Sequence, residues 1–179
     1  MACNFKFNGI NGEFSLDKYK GKKIVLYFYS KDNTSGCTLE AIQFSELKEE
    51  FEKLNAVVIG VSKDSLASHK KFIEKHNLTV ELVSDEDLSI QEHFDVWKMK
   101  KLYGKEYMGT VRSTFILDDK GNILKEDETS EMQNNEPFPK EMCSRERNLS
   151  SGSTAICRLA GIAIQRHQQS KSDCKACEF

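Results

Sequence analysis

Ile24-Val25-Leu26-Tyr27-Phe28-Tyr29 leads into Ser30-Lys31-Asp32-Asn33-Thr34-Ser35-Gly36-Cys37-Thr38 and then into Leu39-Glu40-Ala41, and the reading of this stretch orders the rest of the chain. Its first six residues are an unbroken apolar and aromatic run, the composition of a central strand buried on both faces. A polar loop follows. Gly36 to Leu54 then reads as a helix, because Glu40, Phe44, Leu47, Phe51 and Leu54 recur at spacings of three and four and form one largely apolar stripe. A buried strand that hands over to a helix through a polar loop is the opening of an α/β unit.

Working outward, Ala56 to Val61 predicts a second buried strand, and Ser65 to Asn77 a second helix with Ser65 as its N-cap. Glu81-Leu82-Val83-Ser84 reads as a third strand and Leu88 to Asp95 as a short helix. Thr114 to Leu117 and Asn122 to Leu124 flank Asp118-Asp119-Lys120-Gly121, a hairpin signal. On the N-terminal side, Phe5-Lys6-Phe7 and Glu13 to Leu16 are short strand-like pieces. The order predicts an α/β domain over residues 5–127 with the thioredoxin-like arrangement, a mixed central sheet flanked by helices. Residues 128–179 differ in kind. They begin polar, hold both prolines (Pro137 and Pro139), pass through a linker-like stretch at 148–153 and end in Cys174-Lys175-Ala176-Cys177. Ala155 to Ile164 carries a short helical signal that Gly161 weakens. This second part is expected to be a poorly ordered C-terminal extension.

The chain has 179 residues, 26 Lys and Arg against 28 Asp and Glu, and a formal net charge of −2. Such a balance lacks the concentrated positive field that nucleic acid or an anionic membrane requires. Ala155 to Ile164, the longest apolar candidate, contains Arg158 and falls short of the ~20 residues needed to cross a bilayer. The first residues lack the apolar core of a signal peptide. A soluble, cytoplasmic protein is the expectation. Of six cysteines, only Cys37 falls within residues 4–142. In a reducing compartment, a lone thiol in a well-formed domain is either a small core residue or a reactive group.

The position of Cys37 favours reactivity. The thiolate is the nucleophile, and a free thiol with pKa near ~8.5 is mostly protonated at neutral pH. The first turn of a helix presents unpaired backbone N–H groups and a partial positive charge, both of which favour the anion. Gly36 lets a substrate approach closely, and the Thr34 hydroxyl is within chain reach of the sulfur or a bound oxygen. The competing reading is a packed core cysteine. A merely packed cysteine has no need of a polar, glycine-containing loop at the carboxyl end of a central strand, which is where open α/β sheets place their sites.

The segment Tyr27 to Thr38 resembles the active-site loop of the peroxiredoxin family, and the bacterioferritin-comigratory or Q-type subgroup in particular. Lys98 to Gly109 and Val111-Arg112-Ser113-Thr114-Phe115-Ile116-Leu117-Asp118 are similar to the same subgroup, so the resemblance spans about residues 5–126. It implies a thiol-dependent peroxidase that reduces hydrogen peroxide and organic hydroperoxides through a cysteine sulfenic acid, with no metal, haem or flavin. It further implies that Cys37 is the peroxidatic cysteine and that Thr34 orients the peroxide. Arg112 would stabilise the thiolate and the polarised peroxide, and Glu40 would hold that arginine. Apart from the resemblance, Arg112 also fits a solvated strand end, and Glu40 a helix-first-turn charge.

Ser30 and Ser35 depart from the resemblance, which has proline at the first position and often at the second; two serines predict a looser loop. The subgroup's second cysteine, five residues after the first, is replaced by Ile42, and the helix from Ser65 to Asn77 has none. An external thiol such as thioredoxin, glutaredoxin or a low-molecular-weight thiol is therefore the expected reductant, giving a one-cysteine enzyme. Cys174, Cys177 and Cys3 are the alternative resolving thiols. A zinc site of Cys174 and Cys177 with Cys143, Cys157 or His167 lacks a second closely spaced pair. The partner set is a hydroperoxide and a thiol reductant, with a monomer or weak homodimer and neither nucleic acid nor membrane. A thiol–disulfide oxidoreductase would need a cysteine where Glu40 stands. A non-catalytic binding or chaperone-like module on the same fold is the rival from another class. His69, His76 and His93 are expected at the surface or its boundary.

Overall fold

The computed structural model describes residues 6–9, 12–102, 104–128 and 155–161. In chain order the elements are β1 (Lys6–Gly9), β2 (Gly12–Ser15), a 3-10 turn (Leu16–Tyr19), β3 (Lys23–Phe28), α1 (Ser35–Glu46), α2 (Lys48–Lys53), β4 (Ala56–Ser62), α3 (Leu66–His76), β5 (Glu81–Ser84), α4 (Ser89–His93), β6 (Trp97–Leu102), β7 (Lys105–Thr110), β8 (Ser113–Leu117), β9 (Ile123–Glu128) and α5 (residues 155–161). Seven strands form one sheet in the order β2-β1-β5-β4-β3-β8-β9, and β6 pairs with β7 apart from it. β3, β4 and β5 are parallel, while β8 joins β3, and β1 joins β5, in antiparallel sense. This is the mixed, helix-flanked thioredoxin-like sheet that the strand and helix order predicts.

β3 is central and buried on both faces, as its apolar run requires. Val25, Tyr27 and Tyr29 face one cluster with Cys37, Ala41, Phe44, Phe51 and Phe72. Ile24, Leu26 and Phe28 face the other with Ile90, Phe94 and Phe115. Fully burying each such side chain contributes about 1.5–3 kcal/mol. One close approach is built into the first layer. Gly60 lies opposite Tyr27 across β3 and β4, and a Cβ there would sit 2.6 Å from the Tyr27 ring. Without it the ring lies flat against Phe44, centroids 4.8 Å apart.

The helix expected from Gly36 to Leu54 is broken at Leu47 into α1 and α2. Ser45 explains the break: its hydroxyl donates back to the Ala41 carbonyl at 2.8 Å, and its own carbonyl accepts the Thr79 hydroxyl at 3.2 Å. Back-bonding of this kind competes with the helical ladder. The β6–β7 hairpin was missed in the sequence, because its alternation is limited to Trp97-Lys98-Met99-Lys100 and merges into a charged run; it turns at Gly104, φ 78°. Lys101 and Lys105 on it are exposed, in keeping with a solvated charge run.

Of the C-terminal part, the described residues form α5, within the span of the helical signal. α5 places Ile156, Cys157 and Ala160 in the cluster on the Tyr27 face of β3. Cys3, Cys143, Cys174, Cys177 and His167 lie outside the described residues. Among the described residues no helix is long and apolar enough to cross a membrane, and no cluster of His, Cys, Asp or Glu has the geometry of a metal site.

Candidate active site

The site begins where β3 ends. Tyr29 extends the strand by one residue, its N–H donating to the Val61 carbonyl at 3.1 Å. Asn33 takes a left-handed conformation (φ 59°), which asparagine tolerates better than most residues. Thr34 is extended (φ −80°, ψ 145°) and turns the chain into α1. The first helical bond runs from the Thr38 N–H to the Thr34 carbonyl at 2.9 Å, so the amides of residues 35–37 precede the ladder and point out of the helix start. Cys37 sits there as a free thiol, only 2% exposed. The Ser30 hydroxyl lies 3.7 Å from its sulfur. Thr34 is exposed and its hydroxyl donates to the Lys31 carbonyl at 3.0 Å.

Register brings the distant arginine to this place. Phe28, the last residue of β3, pairs with Ser113, the first of β8, so Arg112 leaves the sheet where the Cys37 loop does. The segment before it is pinned: the Val111 N–H donates to the Val96 carbonyl at 2.7 Å, and the buried Thr110 hydroxyl donates to the Gln91 side-chain carbonyl. Gln91 is itself fixed at the start of α4, whose Ile90 and Gln91 N–H groups donate to Asp85 at 3.0 and 2.9 Å. Burial pushes the Asp85 carboxyl up, against the lowering effect of those two amides.

Arg112 forms an ion pair with Glu40, one helical turn beyond Cys37. Both side chains are largely out of solvent, at 11% and 4% exposure. A carboxylate this buried is stable only when paired. Tyr27, beneath them, reports the same charge cluster. Its hydroxyl is pushed well above its ordinary pKa, first by burial and then by Glu40, Cys37 and Asp32, with Arg112 opposing. Thus Glu40 and Arg112 are brought into contact, Cys37 meets Ser30, and the Thr34 hydroxyl is turned toward Lys31.

A second polar cluster under the same loop was missed in the sequence. Asp32, 5% exposed, accepts hydrogen bonds from the Tyr29 hydroxyl at 2.7 Å, the Ser68 hydroxyl at 2.6 Å and His69 Nδ1 at 2.9 Å. His69, expected near the surface, is 0% exposed, and its Nε2 lies 3.3 Å from the Val83 carbonyl. Its Nδ1 thus faces both the Asp32 carboxylate and the Tyr29 hydroxyl, 3.3 Å away, while its Nε2 faces a backbone carbonyl. Burial alone would raise the Asp32 carboxyl; the bonds from His69 and Ser68, the His69 charge and the Tyr29 bond outweigh it and hold the group below its usual range. The loop backbone is tied as well, Asp32 N–H donating to Asp64 Oδ2 at 2.8 Å, where the Ser62 hydroxyl also donates at 2.9 Å. The signal for His69 was its place on α3, three residues before the buried Phe72 on the same face.

Comparison with known proteins agrees with this architecture. The AhpC/TSA family matches residues 1–126. Peroxiredoxin Bcp of Bacillus subtilis is 53% identical over 126 residues, covering 70% of this chain and 80% of that protein. A putative peroxiredoxin bcp of Helicobacter pylori is 49% identical over 126 residues, 70% of this chain and 83% of that protein. Among solved structures, Xanthomonas campestris peroxiredoxin Q superposes with a TM-score of 0.68 at 33% identity over 88% of each chain. A match across seven-tenths of the chain, at half identity and on the same fold, makes this chain a member of the AhpC/TSA family and, within it, a peroxiredoxin of the Bcp and peroxiredoxin Q kind.

Proposed function

We propose that the chain reduces hydrogen peroxide and organic hydroperoxides at Cys37. The thiolate attacks the terminal peroxide oxygen. The S–O bond forms as the O–O bond breaks, the sulfur is oxidised to a sulfenic acid, and the peroxide is reduced to water or an alcohol once the departing oxygen takes a proton. Negative charge develops on that oxygen, so donors fixed beforehand stabilise the transition state. The Arg112 guanidinium, braced by Glu40, and the amides at the start of α1 are those donors in this reading. Thr34 orients the peroxide, its hydroxyl oxygen remaining able to accept a hydrogen bond. The domain of residues 5–127 carries the chemistry, with 128–179 as a cysteine-containing tail.

The observation that carries the reading is a thiol at a helix start, at the end of the strand whose neighbour delivers a buried Arg112–Glu40 pair. Recycling falls to an external thiol, thioredoxin, glutaredoxin or a small thiol. In support, Ile42 occupies the near resolving position, and Cys157, the other described thiol, is buried in the apolar cluster. A catalytic thiol suits a reducing compartment such as the cytoplasm.

The test is peroxide consumption with a thiol reductant. Cys37→Ser is expected to abolish it, and turnover equal to wild type would end the proposal. Arg112→Ala is expected to lower kcat/KM by about 10²–10³, the usual loss when one transition-state donor is removed. A change below threefold would take Arg112 out of the mechanism.

A further inference from the structure

We propose that the Ser30 hydroxyl is a hydrogen-bond donor to the Cys37 sulfur and thereby a further catalytic residue of this peroxidase. The inference rests on the reading of Cys37 as the residue that attacks peroxide. Ser30 is the first residue of the loop after the extended Tyr29, and Cys37 is the third residue of α1, so the contact at 3.7 Å closes the loop across its mouth. A sulfur–oxygen contact of this length is that of a hydrogen bond to a large, soft acceptor. Among the described residues, this sulfur is the hydrogen-bond partner of the Ser30 hydroxyl.

The direction of the bond is set by ionisation. With a neutral thiol either atom can donate. Once the sulfur is a thiolate it has no proton, and only the hydroxyl can. The bond then becomes charge-assisted and strengthens, so it favours the anion over the thiol. Burial makes this matter more. At 2% exposure the sulfur is largely cut off from bulk water and depends on protein donors for its stabilisation. Ser30 places a hydroxyl donor 3.7 Å from it. The residue type decides the effect. The proline to which this loop's resemblance points has no donor at all, so the serine exchanges ring stiffness for a hydrogen bond to the reacting atom.

The test titrates Cys37 in the full chain by its rate of alkylation with iodoacetamide between pH 4 and 10. The tryptic peptide from Asp32 to Lys48 holds only this cysteine, and mass spectrometry reads its labelling apart from the other five. Ser30→Ala and Ser30→Pro are expected to move the alkylation midpoint up by about 0.5–1 pH unit, a three- to tenfold slower reaction on the acid limb. Ser30→Thr, which keeps a hydroxyl, is expected to titrate as wild type. A wild-type midpoint in both hydroxyl-free variants would overturn the proposal, and so would a Ser30→Thr midpoint as high as that of Ser30→Ala. Alkylation needs no peroxide, so peroxide turnover by Cys37→Ser, measured alongside, would bring down the functional reading and Ser30's catalytic role with it, whereas the titration decides the hydrogen bond by itself.

Discussion

Removing the Asp32 carboxylate should cost more stability than its position in a surface loop suggests. Asp32→Ala deletes three hydrogen bonds at 2.6–2.9 Å and leaves His69 at 0% exposure without its carboxylate partner. Hydrogen bonds to a charged group contribute about 1.5–3 kcal/mol each, but they are not additive here because the three donors share one carboxylate. Breaking one side of a buried ion pair costs about 3–5 kcal/mol, which sets the expected loss. With a urea m-value of about 2 kcal/mol per M, the unfolding midpoint at pH 7 falls by about 1.5–2.5 M. His69→Leu removes the other partner, and the double variant should be less destabilised than the two single losses combined, by at least ~1 kcal/mol. Urea unfolding followed by circular dichroism measures all four proteins. A loss below about 1 kcal/mol for Asp32→Ala, or strict additivity, would show that the two side chains are not coupled and that the carboxylate does not hold the loop.

Gly60→Ala should destabilise by about 1–3 kcal/mol, because the new Cβ meets the Tyr27 ring at 2.6 Å and a Leu82 methyl at 2.7 Å, both buried in the packed cluster. The melting temperature should drop by about 3–10 °C, and an unchanged value would mean that the Tyr27 ring is free to shift. For pH dependence, Asp118 is informative. Its carboxylate accepts the Lys120 and Asn122 N–H groups at 2.8 Å and Asn122 Nδ2 at 2.9 Å, and although burial acts to raise it, these bonds hold it below the usual 3.8. A depressed folded value means that the stabilisation is fully present above 3.8 and is lost as pH falls through the folded value. The stability gap between wild type and Asp118→Ala should therefore be flat from pH 7 to 5 and close below about pH 4; a gap that persists at pH 2 would exclude the carboxylate as its source.

What the sequence disclosed and what it hid follow from range. The apolar run at Ile24 to Tyr29 and the Asp118 to Gly121 turn are local patterns, and each became the element it predicted, while the stripe from Glu40 onward became two helices in place of one. Arg112 and Glu40 are 72 residues apart, and no periodicity links them; the resemblance paired them, and the Phe28–Ser113 register explains how the fold does so. His69 and Asp32 share no pattern, since a histidine on a helix and an aspartate in a loop each have an ordinary exposed reading. The break at Leu47 was hidden for a similar reason, because it depends on Thr79 reaching Ser45 from another part of the chain.

The serines at 30 and 35 sharpen this point. Read alone, they predict a loop less constrained than one with prolines. Proline at a compatible position contributes about 0.4–1 kcal/mol, acting through the unfolded chain. Against that stand the bonds of the Asp32 carboxylate to Tyr29, Ser68 and His69 and of the Asp32 amide to Asp64, which tie the loop to β3, α3 and the end of β4 from beneath. Charge-assisted bonds of this kind, at about 1.5–3 kcal/mol, exceed the proline contribution individually. The loop is thus held by side-chain tethers below its backbone, and position 30 is released from stiffening the chain to bring a hydroxyl to the sulfur.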